Sequence, residues 1–169
     1  MRVRCAVLGD PISHSLSPTL HRAGYAALGL DGGYDSFQVL EGTLAAFLEG
    51  LDGSWRGLSL TMPLKREALS LASVSEVSAT AQLAGGANTL VLRPTGHLAD
   101  NTDVPGAMAA LAERVPGVAD DGVESAVIWG GGATAASLIV ALHRLGCRRV
   151  LVLVRDPQRA AETVRWRLA

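Results

Sequence analysis

The sequence predicts an α/β fold, an open sheet with helices on its faces, continuing into a second α/β region. Three observations carry that expectation. Short branched, apolar runs alternate with stretches of helical spacing from Val3 onward. A Gly130-Gly131-Gly132 turn joins one such run directly to a helix. Asn101 to Val104 reads as a crossover between the two regions, so the expected domains are residues 1–103 and 104–169.

Val3 to Leu8 reads as a buried strand. Ser17 is placed to cap a helix with Pro18 at its first position, and Leu20, Ala23, Gly24, Ala27 and Leu28 follow at helical spacing until Gly29. Tyr34 to Val39 is a second strand, and Thr43 to Leu51 a helix with Leu44, Phe47, Leu48 and Leu51 on one face. Gly57 to Leu60 is a third strand, followed by short helices at Lys65 to Leu71 and Val77 to Leu83. Ala87 to Leu92 and His97 to Asp100 form a hairpin around Pro94-Thr95-Gly96. Pro105 to Arg114 is a helix and Val115 to Glu124 a loop. Ala126 to Trp129 is a buried strand, Ala133 to Leu145 a helix, Val150 to Val154 a strand and Pro157 to Leu168 a helix. Trp55, Trp129 and Trp166 are read as packing residues.

Composition narrows the function. Hydrophobic residues make up 49% and charged residues 18% of the 169, which argues against disorder. A net charge of −1 leaves no basic surplus to displace counterions from nucleic acid. Arginines gather near the end, and the plain reading of each is a solvated helix face. Cys5 and Cys147 sit in apolar contexts and give neither a disulfide framework nor zinc spacing, so no metal is expected and a reducing cytoplasm follows. The apolar run at Cys5 to Leu8 is too short for a signal peptide. Ser125 to Leu142 is uncharged, but its central glycines break it into strand and helix rather than a membrane span.

Five stretches carry the chemistry. Pro11 to Pro18, Ser59 to Lys65, Gly86 to Thr89 and Asp100 to Asp103 together hold hydroxyls, an amide, an amine and a carboxylate, which suit a small polyhydroxylated acid. Gly130, Gly132 and Ala135 fit G-x-G-x-x-[G/A] between a strand and a helix, the pattern that lets a dinucleotide pyrophosphate approach backbone N–H groups at a positive helix end. The second region is therefore read as the beginning of a Rossmann-like domain. Ser15 and Ser17, two apart in an extended stretch, can point their hydroxyls to one side; the alternative for Ser17 is a helix cap. Lys65, at a helix start, would by spacing alone be a solvated lysine. Asn88 offers a donor and an acceptor to adjacent ring hydroxyls, or braces a turn. Arg155 and Arg159 follow the second strand, where arginine meets the 2′-phosphate of NADP. Asp156-Pro157 between them reads better as a helix cap. His14 and His21 are read as structural.

In this order and spacing the five stretches resemble the shikimate dehydrogenase family, over nearly the whole chain. The resemblance implies a substrate-binding domain followed by an NADP-binding domain. The implied activity is the reversible reduction of 3-dehydroshikimate to shikimate with NADPH, in chorismate and aromatic amino-acid biosynthesis in the cytoplasm. It places Lys65 on the catalytic lysine and Asp103 on its partner aspartate. It makes Ser15 and Ser17 ligands of the substrate carboxylate, with Thr61, Lys65, Asn88 and Asp103 as further substrate contacts. Gly130, Gly131, Gly132, Ala133 and Thr134, with Arg155 and Arg159, would hold NADP. Two departures stand out: Ser59 replaces the family's usual asparagine, and Gly131 and Ala133 each differ by one methyl from the family's Gly-Ala-Gly-Gly-Ala loop. A quinate/shikimate dehydrogenase with relaxed NAD use and a non-catalytic metabolite-binding module are the competing readings. Because family members run further, the 169 residues are expected to be a fragment, low in dehydrogenase activity and prone to self-association, with a homodimer as one form.

Overall fold

The structure, a computed structural model, describes residues 3–118 and 120–164, with backbone alone for Arg159, Glu162 and Val164. Its elements are β1 (Val3–Gly9), α1 (Ser17–Ala27), β2 (Gly32–Gln38), α2 (Leu44–Glu49), β3 (Trp55–Leu60), a 3₁₀ turn (Glu67–Ser70), β4 (Val74–Val77) and α3 (Ala79–Ala84). After these come β5 (Thr89–Val91), β6 (His97–Asp100), α4 (Asp103–Arg114), β7 (Ser125–Trp129), α5 (Ala133–Arg144), β8 (Arg149–Leu153) and α6 (Pro157–Val164). The chain divides into two compact units, Met1–Gln82 with Gly86–Asp100, and Leu83–Gly85 with Asn101–Ala169. The division thus falls after Asp100, and Asp103 opens α4 in unit 2.

Unit 1 is built on one sheet of order β2-β1-β3-β5-β6-β4. β1 runs parallel to β2 and β3, β5 runs antiparallel to β3 and β6, and β4 is parallel to β6. Side-chain alternation splits the sheet into two faces. Ala6, Leu8, Leu58, Leu60, Leu90 and Ala99 bury one face against Leu44, Leu64 and Ala68, with Phe37, Phe47 and Leu48 packed around them. Each buried leucine there contributes roughly 1.5–3 kcal/mol by leaving water. Val7, Ile12 and Tyr34 form a smaller cluster with Cys5 and Tyr25.

Unit 2 pairs β7 with β8 in parallel register, Val127 opposite Leu151 and Trp129 opposite Leu153. α5 packs through Ala135, Ala136, Ser137, Val140, Ala141 and Leu142. Cys147, Ile128 and Leu142 fill one cluster, and Ala84, Val104 and Val140 another. Neither Cys5 nor Cys147 forms a disulfide. No helix among the described residues is long and apolar enough to cross a membrane.

Several expectations need correction. Ser17 does not cap α1: Leu16 holds the N-cap position without a side-chain cap bond, and Ser17 is the helix's first residue with Pro18 following. The apolar spacing of α1 is not a core face either, because the helix has no buried residue and Leu20 and Leu28 lie open to solvent. Lys65 to Leu71 is not a regular helix; only Glu67–Ser70 coils, as 3₁₀, while Lys65 lies in the turn before it. The stretch expected as a helix from Val77 begins as the end of β4, a four-residue edge strand too short and polar to announce itself. β7 is half exposed rather than buried: Val127 and Trp129 stand on its open face, and Trp129, at 89% exposure, is no packing residue. Trp55 packs as expected, and Trp166 lies outside the described residues.

Candidate active site

The site segments of unit 1 gather at the carboxyl ends of β1, β3 and β6. Gly9 closes β1, and there Asp10 N–H donates to Met62 O at 2.8 Å while Thr61 N–H donates to Leu8 O at 2.9 Å. These two bonds lock the loop after β1 to the loop after β3. They also force the strands so close that a Cβ on Gly9 would stand 2.3 Å from Thr61 Cγ2 and 2.8 Å from Met62 O. A third segment joins them: Ala87 N–H donates to Lys65 O at 2.7 Å, Leu60 N–H to Asn88 O at 2.7 Å, and Asn88 N–H to Asp100 O at 3.0 Å. Gly86 lies against Lys65, where a Cβ would meet its carbonyl oxygen at 3.3 Å. The backbones bearing Thr61, Lys65 and Asn88 are thereby one hydrogen-bonded assembly. Bond formation of this kind holds each side chain on rigid structure rather than on a free loop.

Ser15 and Ser17 follow β1 on the same end of the sheet. Ser15 N–H donates to Ile12 O at 3.0 Å, and Ser15 Oγ accepts Ser17 N–H at 3.3 Å, so the two serines form one local turn at the head of α1. Both are half-buried, as are Thr61, Lys65 and Asn88. Asn88 Oδ1 accepts the Thr89 hydroxyl at 3.0 Å, which fixes the amide's orientation. His21 serves structure: Nδ1–H donates to Ser17 O at 2.9 Å and the ring stacks on Tyr34 at 3.9 Å. His14 is exposed.

Sequence reasoning missed two residues here. Tyr34, 2% exposed, donates its hydroxyl to Ser59 Oγ at 2.7 Å, so the serine that replaces the usual asparagine is held by a neighbour two strands away. Burial raises the Tyr34 pKa, against the lowering effect of the Ser59 bond. Ser78 donates to Asp100 Oδ1 at 2.5 Å while its oxygen accepts Ala81 N–H at 3.0 Å, tying the head of α3 to the end of β6. The alternation of β2 and β3 places Tyr34 and Ser59 on one face, which is the signal that could have found the first pair.

Unit 2 holds the glycine loop. Gly130 has φ +109°, a backbone region that favours glycine, and its N–H donates to Leu153 O at 2.9 Å. At Gly131 a Cβ would meet Ala160 Cβ at 2.7 Å and Val154 Cγ1 at 2.8 Å, whereas at Gly132 it would meet nothing within 4 Å. Thr163 Oγ1 donates to Gly131 O at 2.6 Å. The loop is therefore pressed onto α6 and the end of β8 at its middle residue and open at Gly132, the N-cap of α5, which no side chain caps. Ala133 and Thr134 begin α5 there. Open backbone at a positive helix end fits a pyrophosphate. Arg155 is exposed in the loop after β8, next in sequence to the Val154 that Gly131 approaches, while the side chain of Arg159 lies outside the described residues. Asp156 Oδ1 accepts Gln158 N–H at 2.9 Å, so the aspartate caps α6. Asn101, buried, donates from Nδ2 to Ser137 Oγ at 3.0 Å and accepts Val104 N–H at 3.2 Å, anchoring the head of α4 to α5. Asp103, half-buried, is the first residue of α4.

Residues 7–90 match the family described as the shikimate dehydrogenase substrate binding domain. A shikimate dehydrogenase (NADP(+)) of Caulobacter vibrioides is 40% identical over 158 residues, 92% of this chain and 54% of that protein. One from Thermus thermophilus is 39% identical over 159 residues, 94% of this chain and 57% of the relative. The crystal structure of a Thermus thermophilus shikimate 5-dehydrogenase in complex with NADP(H) and shikimate superposes with a TM-score of 0.82 at 35% identity. It is matched over 95% of this chain and 59% of that one. A shikimate 5-dehydrogenase from Mycobacterium fortuitum gives 0.80 at 42% identity, over 97% and 58%. The chain spans little more than half the length of these four relatives. Over residues 7–90 this chain belongs to the shikimate dehydrogenase substrate binding domain family, and over the part it spans its fold is similar to that of the shikimate dehydrogenases.

Proposed function

We propose that the chain provides the substrate site and the first part of the cofactor site of an NADPH-dependent shikimate dehydrogenase. The reaction is the reversible reduction of 3-dehydroshikimate to shikimate in aromatic amino-acid biosynthesis, in the cytoplasm. The observation that carries this reading is the single hydrogen-bonded assembly of the Thr61, Lys65 and Asn88 backbones at the carboxyl ends of the unit 1 sheet. Ser15 and Ser17 take the substrate carboxylate with their hydroxyls. Asn88, oriented by Thr89, donates to and accepts from ring hydroxyls, and Thr61 adds a further hydroxyl. Gly130 to Thr134, with Arg155 and Arg159, would hold NADPH, which would supply the hydride. Lys65 Nζ gives its proton to the substrate carbonyl oxygen in reduction and takes it back in oxidation. By the family resemblance Asp103 is the partner aspartate in that proton transfer.

Self-association belongs to the same proposal, since Val127, Trp129, Leu151 and Leu153 leave an apolar face of the β7–β8 pair exposed. Turnover followed through NADPH absorbance with 3-dehydroshikimate, in parallel with calorimetric shikimate binding, tests the assignment. Lys65→Ala should cut turnover by roughly 100-fold or more with little change in binding. Near-normal turnover in that variant would remove Lys65 from the chemistry. Turnover of quinate with NAD at comparable efficiency would favour the quinate/shikimate alternative.

A further inference from the structure

We propose that unit 1 carries a second binding site, remote in the sheet from the candidate active site, for a small aromatic carboxylate. The site is a cavity of about 260 Å³ walled by Leu51, Trp55 and Leu92 and rimmed by Arg56, Arg93 and His97. Trp55 is the first residue of β3 and His97 the first of β6, so the cavity opens at the amino-terminal ends of strands whose carboxyl ends carry Thr61 and Asp100. Its volume lies just under the roughly 300–1,000 Å³ that house drug-sized ligands, which restricts the occupant to about one ring.

The apolar walls favour a ring; the Trp55 indole among them is 6% exposed, with Arg4 over its ring and Phe37 packed against it. Charge selects the anion. Two acids bear on the cavity, Asp52 in its lining and Glu76 beside Arg93, and each already has its partners. Glu76 accepts from Arg93 at 2.7 Å. Asp52 is held below its ordinary pKa by the Ser54 hydroxyl and N–H and, more weakly, by Arg4, whose guanidinium also lies 4.2 Å over the Trp55 ring. Arg56 differs. Among the described residues its guanidinium bonds only carbonyls, Gly53 O at 2.7 Å and Trp55 O at 3.0 Å. Those bonds hold it at the rim through NH1 and leave its charge uncompensated. A carboxylate matches the planar donor fork of such a guanidinium better than any monopolar partner. His97 Nδ1 accepts Arg93 N–H at 3.4 Å, which puts the ring proton on Nε2 as a second donor.

Titration of the isotope-labelled chain, read by amide and indole NMR shifts, tests the site with three probes: benzoate, its neutral isostere benzamide, and acetate. Benzoate should give saturable shifts at Arg56, Arg93, His97 and the Trp55 indole, with benzamide and acetate each roughly tenfold weaker. Arg56→Gln and, separately, Arg93→Gln should weaken benzoate several-fold while the spectrum otherwise stays that of the folded protein. No saturable shift at millimolar benzoate, equal affinity for benzamide, or wild-type affinity in both variants would overturn the proposal. Shikimate shifts at Thr61 and Asn88 report on the other end of the sheet, so failure of one site is distinguishable from failure of the other.

Discussion

Gly9→Ala should break the candidate site at its narrowest point. The added methyl would lie 2.8 Å from Met62 O, a backbone atom that cannot swing aside as a flexible side chain does, and 2.3 Å from the branched Thr61 side chain. Relief requires the 61–65 loop to move off β1, against the Asp10–Met62 and Thr61–Leu8 bonds at 2.8 and 2.9 Å. Overpacking of this kind costs about 1–3 kcal/mol, and weakening one of those bonds adds about 1 kcal/mol. For a unit of about 100 residues, a loss of about 2 kcal/mol lowers the midpoint by roughly 8–16 °C. Thermal unfolding by circular dichroism, with shikimate affinity measured on the same variant, is the assay. Gly24→Ala is the control: its Cβ would meet nothing within 4 Å in the middle of α1, so alanine should stabilise by about 0.5–1 kcal/mol. A Gly9→Ala protein that melts and binds like the wild type would refute the close-approach reasoning.

Gly131→Ala should cost about 1–3 kcal/mol and weaken NADP, since the methyl would meet Ala160 and Val154 at 2.7 and 2.8 Å; unchanged melting and cofactor affinity would contradict it. Arg155→Ala should weaken NADP and leave NAD nearly untouched, measured by calorimetry with both cofactors; equal losses would make Arg155 merely structural. Ser17→Ala should lower shikimate affinity with little loss of stability, because its side chain caps nothing; a drop of about 1 kcal/mol in unfolding free energy would restore the cap. Alkaline pH should destabilise unit 1: burial pushes Tyr25 up to about 12, with Cys5 contributing, and raises Tyr34 as well. An unfolded tyrosine ionises near its ordinary value of about 10, so folding stability is full below that pH and falls between about 10 and 12. Denaturant midpoints across that window, compared with Tyr25→Phe, check the sign: a flat profile or a rise would contradict it.

The parts of the fold that were legible in the sequence are those where local pattern and packing agree. β1, β2, β3, β5, β6, α4, α5 and β8 follow from apolar runs, helical spacing and turn residues, and Asp156 caps α6 as its proline neighbour implies. The misses share a cause, which is that the local pattern did not carry the tertiary context. β4 is held in place by pairing with β6 rather than by its own sequence, and its exposed Ser75 and Glu76 conceal it. α1 has the spacing of an amphipathic helix, yet no buried residue, and β7 reads as core although Trp129 faces solvent. Ser17 looked like a cap because serine before proline usually is one; the helix begins one residue earlier than that reading required. For the site, motif order gave the residue types, but the bonds that join Thr61, Lys65 and Asn88 into one assembly are between backbones, which no side-chain pattern announces. The Tyr34–Ser59 pair is harder to read for a related reason: alternation puts both on one face, but β1 separates their strands in the sheet.

The most direct test of the central claim is where shikimate binds on this chain. Titration of the isotope-labelled protein with shikimate should move the amide resonances of Ser15, Ser17, Thr61, Lys65 and Asn88 together, along one saturable curve, and Asn88→Ala should weaken that curve at every one of those positions. Shikimate shifts confined to other residues, or no saturable shift at these five, would contradict the assignment of the carboxyl ends of β1, β3 and β6 as the substrate site.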